Sequence, residues 1–167
     1  MKLSALSRRA WVGAAVVAQL GILVMAVAAP LSARLRGSEY LLRVAPVDPV
    51  DPFRGAYVAL SYPDLVAPGT PTEEDGRRPS GTAFVPLQRD GEVWKGTWPA
   101  SRTRPSSGPY LRCHDDGWQL RCGIESWFLP QAKAAAVGQA VTEGRAVAVV
   151  RIDARGHAAL VEVRQRP

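Results

Sequence analysis

At 167 residues and 47% apolar content, the chain has room for one domain with its own hydrophobic core. Its net charge of +6 does not indicate nucleic acid. Lys2, Arg8, Arg9, Arg34 and Arg36 lie in residues 1–36 with no acid among them, whereas residues 37–167 carry sixteen basic side chains against fifteen acidic ones. The basic excess flanks an apolar segment, where it sets topology, and no basic stripe remains to hold a phosphate backbone.

Residues 10–29, AWVGAAVVAQLGILVMAVAA, are twenty positions without a charge. As a helix they extend about 30 Å, the thickness of the hydrocarbon layer, and only a helix satisfies every backbone group there. Pro30 is expected to end the helix. The cations before the segment place the N-terminus in the cytoplasm and the remainder of the chain outside it. The organisation expected is a cytoplasmic tail over 1–9, an anchor over 10–30 that contacts the lipid bilayer, and an extracytoplasmic domain over 38–166. A cleaved signal peptide is the rival reading, with Leu31-Ser32-Ala33 as its cleavage site. Against it, the apolar run exceeds the usual signal length of about 7–15 residues.

Past the anchor the pattern is one of short strands. Residues 40–47 are apolar, with Pro46 marking an edge or an end. Residues 56–62 alternate Val58, Leu60 and Tyr62 with Tyr57, Ala59 and Ser61, as a half-buried strand does. Residues 63–80 read as a long loop. Strands over 82–88 and 92–98 flank a turn at Asp90-Gly91, and strands over 110–114 and 118–122 flank one at Asp116-Gly117. Residues 123–129 are a short apolar stretch. Residues 131–143 form the domain's helix, stopped by Gly144, and strands over 146–152 and 157–164 close the chain around Asp153-Ala154-Arg155-Gly156. The fold class expected is mainly β: a transmembrane helix followed by a small antiparallel barrel or sandwich with one short helix.

Cys113 and Cys122 lie nine apart in an exported domain, where a disulfide is the expected chemistry. A two-residue turn at Asp116-Gly117 would put Leu120 opposite Cys113. A longer loop or a bulge would make the two cysteines face each other directly. His114 and His157 lack metal-ligand spacing, so neither a metal nor another cofactor is expected. A nucleophile elbow and a phosphate-binding loop are also missing from the sequence.

Asp48, Asp51, Arg54 and Gly55 form the most function-like cluster. Either the carboxylates brace a turn, with Arg54 paired to one of them, or Arg54 presents a surface to a partner or small ligand. Tyr57, on the face opposite Leu60 and Tyr62, is a second contact candidate. Glu125, in an apolar run, is the candidate general acid. An envelope hydrolase would use it with Asp48 or Asp51 brought near by folding; otherwise it accepts structural hydrogen bonds.

The stretch 47–62, VDPVDPFRGAYVALSY, resembles the signature of the GDYXXLXY family of bacterial membrane-anchored proteins. Asp48, Pro49, Asp51, Arg54, Gly55, Tyr57, Leu60 and Tyr62 occupy its pattern. Residues 122–131, CGIESWFLPQ, are similar to a later block of the family through Gly123, Ile124, Glu125, Phe128 and Pro130. Ala56 stands where the signature has Asp, and Ser126 where the later block has Arg. An activity depending on that pair is therefore not expected in this chain. The resemblance implies a domain outside the cytoplasmic membrane, acting as an interaction or accessory module beside a multi-pass membrane protein. It brings no established activity.

Overall fold

The computed structural model describes residues 8–46, 57–66, 80–117, 119–128 and 131–165. It opens on one long helix, α1 (Arg8–Arg36). Its apolar stretch has a mean hydropathy of 2.3 and is not buried against the domain. By length and composition it can cross a bilayer. Contrary to expectation, Pro30 does not end it. The lost N–H costs one bond of the ladder, but the ladder resumes with the Gly37 N–H on the Ala33 carbonyl at 2.9 Å, and the turn is held to the domain by buried Ala33 and by Arg34 on the Leu160 carbonyl at 3.3 Å.

Ten strands follow. β1 (Ser38–Arg43) and β2 (Ala45–Pro46) replace the single strand expected over 40–47. The chain breaks at buried Val44 because the two pieces join different sheets. Next come β3 (Tyr57–Ser61), a 3-10 turn (Pro63–Leu65), β4 (Gly81–Asp90) and β5 (Val93–Gly96). β6 (Tyr110–Asp115), β7 (Leu120–Arg121), β8 (Ser126–Phe128), α2 (Gln131–Thr142), β9 (Ala146–Ile152) and β10 (Ala158–Gln165) complete the order.

The large sheet runs β10-β9-β1-β5-β4-β6-β7 and the small one β2-β3-β8. Among the described residues all strand pairings are antiparallel except β1 with β5. The large sheet curls into a half-barrel. The turn joining β9 to β10 reaches the edge of β6, where the Arg112 N–H donates to the Gly156 carbonyl at 2.8 Å. Gly156 is required at that meeting point. Its φ is +80°, and a Cβ there would lie 2.5 Å from the Tyr110 ring.

Leu42, Val85, Leu111, Val150 and Ile124 fill the core between the sheets, each fully buried. Each such aliphatic side chain contributes about 1.5–3 kcal/mol by leaving water. β9 is buried at every position from Ala146 to Val150, and both helices reach it. Helix α2 also packs on β2 and β3, so it ties the small sheet to the large one.

Candidate functional site

In the small sheet, β3 comes from the sequence block 47–62 and β8 from the block 122–131, with β2 just ahead of the first. β3 pairs with β8 through Tyr57↔Phe128, Val58↔Trp127 and Ala59↔Ser126. Two bonds extend the ladder: the Leu60 N–H donates to the Glu125 carbonyl at 2.8 Å, and the Tyr62 hydroxyl to the Ile124 carbonyl at 2.8 Å. Leu60 and Tyr62 are buried, as alternation predicts. Burial, and secondarily the Glu125 charge, push the Tyr62 phenol far above its ordinary value, so it remains a hydrogen-bond donor.

Glu125 is engaged with backbone. One carboxylate oxygen accepts the Cys122 N–H and the other accepts the Gly123 N–H at 2.9 Å. Gly123 supplies the left-handed φ of +80° that this turn requires. The carboxylate thus bridges the disulfide to β8, which suits a charged acceptor satisfying a turn's donors.

Cys113 and Cys122 are bonded to each other, with Cα atoms 4.1 Å apart. The connection between β6 and β7 spans 116–119, closed by the Asp116 N–H on the Gln119 carbonyl at 2.9 Å. Because His114 faces Arg121, the cysteines are directly opposite. The longer loop, not the two-residue turn, is the arrangement present. Asp115 braces it from a buried position: Arg102 lies 2.8 Å from one carboxylate oxygen, and the Gly117 N–H donates to the other at 2.9 Å.

Asp48, Asp51, Arg54 and Gly55 fall outside the described residues, as does the side chain of Tyr57, whose backbone begins β3. Among the described residues, no three His, Cys, Asp or Glu side chains come together as a metal site would need.

A second cluster, one that sequence patterns do not reveal, lies where α1 meets the β9–β10 turn. The Ser32 hydroxyl donates to Asp153 Oδ2 at 2.8 Å, and His157 Nδ1 lies 3.0 Å from the same oxygen. Asp153 Oδ1 accepts the backbone N–H groups of Arg155 and His157 at 2.8 and 3.0 Å. Burial acts to raise the Asp153 carboxyl, but the bonds from Ser32, His157 and the two N–H groups outweigh it and hold the pKa below its ordinary 3.8. Arg151 binds the Arg34 carbonyl, and the Gly37 carbonyl at 3.1 Å, closing the C-terminal end of α1. The sequence signal for this junction is the Asp153-to-Gly156 turn, which by itself indicates only a hairpin.

The profile of the family described as GDYXXLXY protein matches residues 19–163. The chain belongs to the GDYXXLXY family. The match begins inside α1 and runs into β10, so the GDYXXLXY unit takes in the second half of the apolar run as well as both sheets. Comparison with curated proteins and with solved structures gives no match. In this GDYXXLXY protein the later part of the signature, Leu60 and Tyr62, is joined to the second family block through Ile124 and Glu125.

Proposed function

We propose that this chain is a retained single-pass membrane protein whose β domain lies outside the cytoplasm and serves as an interaction or accessory module for an integral-membrane partner. The observation that carries this reading is the junction. Helix α1 continues past the apolar span, and its last turn is part of the domain, through buried Ala33 and the Ser32–Asp153 bond. Cleavage after Ala33 would remove a core residue and break that bond. No flexible linker separates helix from domain, because Gly37 passes straight into β1. A domain held this way keeps one orientation to the membrane, which favours docking on a neighbour in the same bilayer over action on distant substrates.

The engagement of Glu125 supports binding over hydrolysis, since both its oxygens already serve the Cys122–Glu125 turn. The contact surface is assigned to Asp48, Asp51, Arg54, Gly55 and Tyr57, where Arg and Tyr are the residue types enriched at interface hot spots. Arg54→Ala and Tyr57→Ala should abolish co-purification with an integral-membrane partner while leaving the unfolding midpoint nearly unchanged. Variants that instead unfold would make this segment fold architecture and end the docking assignment.

A further inference from the structure

The last turn of α1 fixes how far the domain stands from the bilayer, given that α1 is the retained anchor of the proposed function. Ser32 lies three residues beyond residue 29, about 4.5 Å along the helix axis. The headgroup layer is roughly 5–7 Å deep on each side. The Ser32–Asp153 bond therefore sets the β9–β10 turn at headgroup level.

Segments 30–40, 101–112 and 151–160 meet around this turn and together hold seven arginines against two carboxylates, Glu39 and Asp153. Arg102 is committed to Asp115, and Arg151 to Glu39 and the end of α1. The other five, Arg34, Arg36, Arg104, Arg112 and Arg155, are exposed. Arg104 reaches the Ala154 carbonyl at 2.7 Å, Arg112 lies 3.4 Å from His157, and Arg34 reaches the Leu160 carbonyl at 3.3 Å. Among the described residues the carboxylate at their centre is Asp153, whose oxygens are already taken. The domain as a whole is nearly neutral, so this concentration of charge is positional. Like charges carried by segments that meet at one turn repel each other unless an anion lies against them.

A cleft of about 300 Å³ opens beside this turn, with Arg36 as its one arginine and Ser38, Tyr40, Tyr110, Ile152 and Asp153 along its walls. Guanidinium forks at this height match phosphate oxygens in geometry as well as charge. We propose that these arginines, with Arg36 at the mouth of the cleft, bind the phosphate of an anionic phospholipid headgroup in the leaflet from which α1 emerges. Such binding fixes the rotation of the domain about the anchor axis.

The test is hydrogen–deuterium exchange on the full chain in nanodiscs of phosphatidylcholine, with or without roughly one-third phosphatidylglycerol. Exchange in 101–112 and 151–160 should be several-fold slower with the anionic lipid, with β4 and β5 unchanged. High salt should erase the difference, as should Arg36→Gln combined with Arg155→Gln, and the salt titration tests the wild-type chain even if that variant fails to fold. Equal exchange in both lipids, with the protein embedded, overturns this proposal and leaves the anchor reading intact. Failure to embed overturns both. Full protection by inorganic phosphate in phosphatidylcholine alone would reassign the face to a soluble anion and end the lipid proposal.

Discussion

Tyr62 and Glu125 show how single residues carry the family signature into the fold. Tyr62→Phe keeps the ring in place and leaves the buried Ile124 carbonyl without its donor, which costs about 1–3 kcal/mol. Chemical denaturation should show that loss with the slope unchanged. Glu125→Gln replaces a charged acceptor of two backbone N–H groups and should lower stability by a similar amount, about 1–3 kcal/mol, while partner binding persists. Loss of function at full stability and full binding would instead make Glu125 an acid of the hydrolase reading. Inward Leu60 and Tyr62 were legible from alternation alone. The partners of Glu125 were not, because the donors come from a turn positioned by the disulfide. Asp153 adds a pH-dependent contact. Its folded pKa lies below 3.8, so its contribution is full above about pH 4 and is lost as pH falls through the folded value. Exchange at the Gly37 amide should accelerate below that point, and Asp153→Asn should show the faster rate at neutral pH.

At the scale of elements, the strands followed from two-residue periodicity and turn residues, and most ends lie within a few positions of those expected. The misjudged elements share a cause in long-range contacts. Pro30 stops an isolated helix, but the domain supplies contacts at Ser32, Ala33 and Arg34 that carry α1 to Arg36. Residues 40–47 read as one strand, yet they divide at Val44 to serve two sheets. The cysteine register depended on loop length, which sequence left open between two arrangements. The pair closes a short loop, worth about 2–3 kcal/mol. Protein alkylated without reduction should show neither Cys113 nor Cys122 modified, and Cys113→Ser with Cys122→Ser should unfold at lower denaturant. Two freely alkylated thiols in protein taken from the membrane would contradict the bond.

For the whole molecule, the mainly β class and the apolar helix could be read from pattern and charge. The strand order could not, because parallel pairing of β1 with β5 and the contact of β6 with the Gly156 turn join residues far apart in sequence. Nor could sequence show that helix and domain form one continuous piece. That continuity is the basis for the proposed role, since a rigidly held domain presents a fixed face to neighbours in the bilayer. It is tested most directly by the intact mass of the mature protein together with its partition after carbonate washing. The account predicts a membrane-retained chain that still contains residues 10–33. A soluble product beginning at Arg34 would contradict it.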